Sequence, residues 1–114
     1  MVASEVFVKA GDVKVEDLGG GIKRQILGYG DDLMLVRVQF QKGAVGVLHR
    51  HDHRQVTYVE AGSFEVEIDG EKSVLKAGDC FFVPKNLLHG CVALEEGVLI
   101  DVFTPHREEF LNGK

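Results

Sequence analysis

The sequence is poor in basic residues and has no long hydrophobic run. It carries 13 Lys and Arg against 18 Asp and Glu, a formal net charge of −5, and no cluster of basic residues. This charge argues against a nucleic-acid partner, because such surfaces need a stripe of Lys and Arg. No apolar segment approaches the roughly 18 residues of a membrane span, and the start MVASEVFVKAGD lacks the basic and apolar regions of a signal peptide. We therefore expect a cytoplasmic protein that binds neither nucleic acid nor membrane.

Cysteine and proline are also scarce, at two residues each. Cys80 and Cys91 form no CxxC pair, so we interpret them as free thiols in a reducing compartment, with a disulfide as the alternative. Glycine, in contrast, occurs 14 times. Many glycines with few prolines favour short strands joined by tight turns over a helical bundle. At 114 residues and 45% hydrophobic composition, the chain is long and apolar enough for one domain spanning residues 1–114.

Apolar and polar residues alternate along most of the chain, which is the pattern of half-buried strands. In residues 33–40, for example, Met34 and Val36 share one face while Arg37 lies on the other. An Asp69-Gly70 pair predicts a hairpin turn. The predicted strands and hairpin occupy residues 33–40, 63–75, 79–84, 89–94 and 97–103. Helical turns are predicted only near Val13–Leu18 and in residues 106–111. The fold class predicted from the residues is an all-β sandwich or barrel.

A group of histidines is the clearest chemical signal. His49 and His51 are two apart, so on a strand they would share a face, and Gln55 follows at even spacing. The intervening residues could turn or bulge, so spacing alone does not decide whether Gln55 joins them. His89 lies far along the chain and would have to return to the same place. Imidazole is the commonest ligand of divalent transition metals, so these residues are candidate metal ligands.

The glycines around these residues extend the signal into two motifs. The first is Gly43-x5-His49-x-His51-x3-Gln55-x6-Gly62, and the second is Gly78-x5-Pro84-x-Asn86-x2-His89. Both resemble the motifs of the cupin superfamily, in which Gln55 stands for the usual glutamate and Asn86 for the usual turn glycine. The resemblance implies a small jelly-roll-like cupin β-barrel of two antiparallel sheets that holds one divalent metal ion. The implied ligands are His49, His51, Gln55 and His89.

Glutamine at position 55 changes the charge of such a site. Three neutral imidazoles and an amide leave the 2+ charge of the ion uncompensated, which favours an anionic substrate and Lewis-acid chemistry. The ligand types leave Ni, Mn, Zn, Fe and Co open. His53 is either a second group facing the site or an exposed loop residue.

The C-terminal strand raises a second question, because Asp101 interrupts an apolar run. If the branched Val98, Ile100 and Val102 face the layer between the sheets, Asp101 faces either the barrel interior or solvent. Arg107 follows Pro105 and could hold a carboxylate in a bidentate contact, or lie solvated on the surface.

The segments HRHDHRQVTYVEAG and DVFTPHREEF resemble the pectin-degradation cupins, which linearise 4,5-unsaturated monouronates released from pectin or alginate. The resemblance implies that Asp101, Phe103 and Arg107 are catalytic, with Asp101 as proton shuttle. The implied activity is a ring-opening isomerisation to 4-deoxy-5-keto uronates, acting on a small anionic sugar acid. A metal-dependent cupin dioxygenase and a non-catalytic sugar-acid-binding cupin are the alternatives. Cupins commonly dimerise through sheet edges and an N-terminal strand, which implies a homodimer and an edge strand in SEVFVKAG, residues 4–11.

Overall fold

Two antiparallel sheets form the body of the computed structural model, which describes residues 2–111. The six-stranded sheet has the order β1-β2-β3-β10-β5-β8, and the four-stranded sheet has the order β4-β9-β6-β7. Their bounds are β1 Glu16–Gly19, β2 Ile22–Gly30, β3 Leu33–Phe40, β4 Val45–His49, β5 Arg54–Ala61, β6 Ser63–Ile68, β7 Glu71–Lys76, β8 Cys80–Val83, β9 His89–Ala93 and β10 Gly97–Thr104. The predicted all-β fold of two antiparallel sheets is confirmed.

The period-two pattern places the core where the sequence predicts it. On β3, alternate residues from Met34 to Phe40 are buried, and Phe64 from the opposite sheet meets Phe40 edge-on with ring centroids 5.2 Å apart. Branched and aromatic side chains on both inner faces fill the space between the sheets, which stabilises them because each sheet buries one apolar face. The strand predicted at residues 33–40 and the hairpin centred on Asp69-Gly70 are both confirmed.

Backbone geometry at the turns explains two residue choices. Asp69 and Gly70 both have positive φ, 50° and 84°, as a tight hairpin between β6 and β7 requires. Asn86 has a φ of 65°, so an asparagine that tolerates left-handed backbone stands where related motifs carry glycine. The backbone N–H of Asn86 donates to the backbone carbonyl of His51, 2.9 Å away, and this bond connects the loop before β5 to the loop before β9.

The N-terminal segment differs from the prediction. Residues 13–18 are not helical: a short 3₁₀ turn lies earlier, at Ala10–Asp12, and β1 begins at Glu16. Strand pairing of β1 with β2 outweighs the local helical pattern, because the ladder provides backbone hydrogen bonds that one helical turn cannot. The strand expected at residues 4–11 is also absent, and within this segment Val6 and Phe7 are exposed. The C-terminal helical turn predicted at residues 106–111 forms as α1, Glu108–Leu111.

Strand β10 lies in the middle of the six-stranded sheet, between β3 and β5. Leu99 and Phe103 are buried against the core, so Asp101 between them also faces the interior. The branched Val98, Ile100 and Val102 therefore face outward, opposite to the arrangement considered from the sequence. In residues 2–111 no helix is long and apolar enough to cross a membrane.

Candidate metal centre and cavity

Three histidines meet at one end of the barrel. His49 ends β4 and is paired in register with His89, the first residue of β9, and their ring centroids are 4.4 Å apart. His51 lies in the loop between β4 and β5 and not on a strand, so the same-face argument for the pair does not apply. The loop nevertheless turns its ring to within 4.8 Å of the His89 ring. One nitrogen from each of the three residues lies within 4.8 Å of the others.

Backbone carbonyls fix the orientation of all three rings. The Nδ1 atoms of His49, His51 and His89 lie 2.8, 3.0 and 2.9 Å from the carbonyl oxygens of residues 47, 53 and 87. A carbonyl oxygen only accepts, so each Nδ1 carries a hydrogen and donates. Each Nε2 is then left with a free lone pair, which is the arrangement of metal-binding histidines whose other nitrogen is held by a hydrogen bond.

Burial keeps the imidazoles of His51 and His89 neutral. Burial, with the positive charge of Arg107 next in importance, lowers the pKa of His51 to about 4. Burial also lowers the pKa of His89, against the opposing hydrogen bond to the backbone of Leu87. The Nε2 atom of His89 is buried and has no hydrogen-bond partner. This neutral, buried, unpaired nitrogen lies beside the ring nitrogens of two further histidines, and such a set of donors fits a transition-metal ion.

Gln55, the second residue of β5, is buried and adds an oxygen to this group. Its Oε1 lies 3.2 Å from His51 Nε2, and both atoms carry lone pairs in the tautomer described above. A cation would satisfy such a pair of acceptors. The other end of the amide is held by Thr57, whose Oγ1 accepts a hydrogen bond of 2.8 Å from Gln55 Nε2. The reverse amide orientation would place Oε1 beside the carboxylate of Asp101, where Nε2 now lies 3.4 Å away.

Asp101 is joined to the same chain of hydrogen bonds. The hydroxyl of Thr57 donates to Asp101 Oδ1 over 2.7 Å, across the register pair of β5 and β10. Burial raises the pKa of Asp101 from its ordinary 3.8 to about 6, although the Thr57 hydrogen bond, the Arg107 charge and the Gln55 amide favour the ionised form. A carboxylate with this pKa exchanges protons readily near neutral pH.

Two arginines and two aromatic rings enclose the other side of the cavity. Arg107 is mostly buried, lies with its guanidinium carbon 5.2 Å from the Phe103 ring centre, and pairs with Glu109 at 2.7 Å. The Phe110 ring of α1 is contacted by both guanidinium groups, at 4.0 Å from Arg24 and 4.5 Å from Arg107. These cation–π contacts hold the short C-terminal helix against the mouth of the barrel.

The cavity between these groups has a volume of about 190 Å³. It is lined by His49, Gln55, His89, Asp101, Phe103 and Arg107, together with Arg24 and Cys91. Cys91 and Cys80 are free thiols, as predicted, and burial followed by the charge of Asp101 raises the pKa of Cys91 to about 12. A larger groove of about 530 Å³ lies near Gly19–Gly21, and no histidine or cysteine lines it. The smaller cavity is therefore the candidate functional site.

His53 and Arg37 do not line the cavity. The His53 ring is half-buried and lies 5.5 Å from that of His51, while its Nε2 contacts the carbonyl of His106. Its position beside His51 excludes the alternative of an exposed loop histidine. Arg37 lies on the outer face of β3 and pairs with Glu60 at 3.5 Å, away from the cavity.

Sequence reasoning missed Thr57 and Arg24. The alternation along β5 places Thr57 on the same inward face as Gln55 and Val59, and this signal was available in the sequence. Arg24 is buried on β2 and pairs with Glu16 at 3.1 Å, and no motif indicated its place in the cavity.

Comparisons with known proteins show the family of this fold. The cupin domain family matches residues 36–103. The pectin degradation protein KdgF of Dickeya dadantii (strain 3937) is 59% identical over 98 residues, covering 84% of this chain and 89% of that protein. An RmlC-like cupin from Shewanella frigidimarina NCIMB 400 superposes with a TM-score of 0.94 at 50% identity, covering 96% of this chain and 99% of the other. KdgF from Halomonas sp. superposes with a TM-score of 0.89 at 42% identity, covering 94% and 99%. The chain therefore belongs to the cupin domain family and, within it, to the group of the pectin degradation protein KdgF.

Proposed function

We propose that this protein is a metal-dependent isomerase that opens the ring of 4,5-unsaturated monouronates and yields linear 4-deoxy-5-keto uronates. The observation that carries the proposal is the hydrogen-bonded Asp101, which lines the same small cavity as Gln55 and as His49 and His89 of the three-histidine cluster. Identity of 59% to a pectin degradation protein supports a substrate derived from pectin.

The proposed metal ligands are His49, His51, Gln55 and His89. A divalent ion bound there would supply Lewis-acid stabilisation of negative charge that develops on the substrate's oxygens. All four donors are neutral, so the site would keep its positive charge and attract an anion. Ni, Mn, Zn, Fe and Co all suit imidazole and amide donors, and the identity of the ion stays open.

Asp101 is the proposed proton carrier. In the reaction, the anomeric hydroxyl loses its proton as the C1–ring-oxygen bond breaks and C1 becomes an aldehyde. The enolate that forms across C4 and C5 then takes a proton at C4, leaving a ketone at C5. One proton leaves and one arrives, so a single carboxylate can accept the first and deliver the second without another reactant. Positioned proton transfer of this kind contributes about 10²–10⁴-fold in rate.

Arg107 and Phe103 would select and orient the substrate. The Arg107 guanidinium lines the cavity and can hold the substrate carboxylate, for which its planar group is suited. Phe103 packs beside His51, with ring centroids 5.9 Å apart, and excludes water from that side. The cavity of about 190 Å³ is below the roughly 300–1,000 Å³ of pockets for drug-sized ligands, which favours a monosaccharide over a longer fragment.

The test is the rate of substrate loss. Metal-loaded protein is mixed with freshly prepared unsaturated galacturonate, and the ultraviolet absorbance of the conjugated carboxylate is compared with its spontaneous decay. We expect acceleration by the wild type, loss of most turnover with retained metal in Asp101→Asn, and full activity in Glu60→Gln. The latter makes the same acid-to-amide change on the outer face. Absence of acceleration in metal-loaded wild type contradicts the proposal, and full turnover in Asp101→Asn removes this residue from the mechanism.

The same assay separates the two other functions considered. A cupin dioxygenase would consume oxygen, whereas the proposed isomerisation consumes none and runs equally well under nitrogen. A cupin that only binds a sugar acid would need Arg107 but no proton carrier. The position of Asp101 in the cavity therefore favours catalysis.

We also propose a homodimer, formed through the outer face of the six-stranded sheet. In the strand register, Val102 lies beside Val56 and Val56 beside Phe82, so these outward side chains form a continuous apolar row. Val56 and Phe82 are 46% and 56% exposed. Contiguous exposed apolar patches commonly mark protein interfaces, and a second copy would cover this one symmetrically. A monomeric wild type in light scattering would contradict the dimer, and Phe82→Glu should dissociate the dimer.

The cytoplasmic location stays a prediction.

A further inference from the structure

Thr57 occupies an unusual position for a hydroxyl residue. It is fully buried on β5, the second strand from one edge of the six-stranded sheet, where β5 lies between β10 and β8. Its Oγ1 lies 2.8 Å from Gln55 Nε2 and 2.7 Å from Asp101 Oδ1. It therefore stands between one proposed metal ligand and the proposed proton carrier, and contacts both.

The direction of these hydrogen bonds is determined by their chemistry. An ionised carboxylate only accepts, so the single hydrogen of the Thr57 hydroxyl goes to Asp101. The hydroxyl oxygen must then accept from Gln55, which turns the amide NH2 toward Thr57. The amide oxygen consequently points the other way, to within 3.2 Å of His51 Nε2. One hydroxyl thus orients two functional groups at once.

We propose that Thr57 is a positioning residue, whose hydroxyl holds the Asp101 carboxylate in place and turns the oxygen of Gln55 toward the three-histidine cluster. The role of Thr57 in holding Asp101 rests on the proposed function. Its role in orienting Gln55 rests only on the proposed metal ligands. It also accounts for glutamine at position 55, because the amide accepts at the metal end and donates to the hydroxyl at the other, whereas an ionised glutamate could not donate.

If Thr57 only filled space in the core, its variants would behave differently from what the positioning role predicts. Its side chain is fully buried on the inward face of β5, and its methyl group fills space in a close-packed layer. If packing were its only role, removal of the methyl group would do more harm than removal of the hydroxyl. Serine and valine separate these two possibilities, since serine keeps the hydroxyl and valine keeps the shape.

The experiment compares wild type, Thr57→Ser and Thr57→Val after treatment with EDTA and dialysis. Each protein is titrated with Co²⁺, and the visible absorption of the ion reports its ligand set. Turnover of unsaturated galacturonate is then measured on metal-saturated protein, and thermal unfolding shows that each variant is folded. Loss of a group that orients a ligand typically costs about 10–100-fold in metal affinity or activity.

We expect Thr57→Val to bind Co²⁺ about 10–100-fold more weakly with an altered spectrum, and to lose kcat with little change in KM. Thr57→Ser should stay close to wild type in both measurements, even where its thermal stability is lower. The proposal would be overturned if Thr57→Val kept the Co²⁺ affinity, the spectrum and the kcat of wild type. It would also be overturned if Thr57→Ser lost more Co²⁺ affinity or kcat than Thr57→Val. If wild type shows no turnover, the proposed function fails, and the Co²⁺ titration still decides whether Thr57 positions Gln55.

Discussion

Replacement of Gln55 by glutamate tests why an amide occupies a position that in related motifs is a carboxylate. Glutamine and glutamate have nearly the same shape, so Gln55→Glu leaves packing intact and changes charge and hydrogen bonding only. In the structure, Gln55 Nε2 lies 3.4 Å from Asp101 Oδ1 and donates to Thr57. A carboxylate oxygen in that place could not donate, and Thr57 has one hydrogen to offer to two carboxylates.

The size of the effect follows from this distance. Two unit charges 3.4 Å apart repel by about 5 kcal/mol at an effective dielectric constant of ~20, and binding of a metal ion by the glutamate would offset part of this. The repulsion adds to the burial that already raises the pKa of Asp101 to about 6. Asp101 would then hold its proton at neutral pH and could not accept one from the substrate. We expect turnover at pH 7 to fall by about 10²–10⁴-fold, the range of general acid–base catalysis.

The assay measures kcat and KM between pH 5 and 9 on variants whose metal content is determined for each sample. Gln55→Glu should regain activity as the pH rises, because its Asp101 ionises at higher pH than in wild type. Gln39→Glu is the matched control, since it makes the same chemical change at an exposed position of β3. Wild-type turnover at pH 7 in fully metal-loaded Gln55→Glu would refute the reasoning.

Three further predictions concern stability. A Cβ at Gly97 would lie 2.5 Å from a backbone oxygen of β5, so Gly97→Ala should destabilise the fold by about 1–3 kcal/mol in urea unfolding. Gly28→Ala, with nothing within 4 Å of its Cβ, should cost far less, and equal losses would contradict this. Divalent metal at 100 times its Kd should stabilise EDTA-treated protein by about 2.7 kcal/mol and raise its Tm, an effect that His89→Ala should abolish in calorimetry. In metal-free protein, the lowered pKa of His51 makes the folded state most stable above pH 6.5, and this contribution is lost as the pH falls toward 4. The raised pKa of Asp101 acts in the opposite direction: it destabilises the folded state above about pH 6, and the lost stability returns as the pH falls from about 6 to 3.8. Asp101→Asn should therefore exceed wild type in stability at pH 7 and lose that advantage by pH 4, whereas parallel urea-unfolding curves would exclude the assigned pKa.

The sequence predicted the fold well because its information is local and repetitive. Alternation in residues 33–40 specifies which side of β3 is buried, and Asp69-Gly70 specifies a turn that few other pairs can form. The same local reasoning failed at residues 13–18. There, pairing of β1 with β2 decided the conformation, and this pairing depends on residues elsewhere in the chain.

The sequence by itself also determined which residue types are available for a metal site, through two motifs whose spacing is specific. It could not determine how their side chains meet. His51 joins the cluster from a loop, held by a backbone carbonyl, and period-two spacing says nothing about loops. The inward direction of Asp101 followed only from the packing of β10, on which Leu99 and Phe103 are buried against the core. The bonds from Gln55 through Thr57 to Asp101 join residues of two strands, and Thr57 and Asp101 are 44 positions apart in the sequence. Hydrogen-bond direction depends on three-dimensional proximity, so only the tertiary structure could decide it.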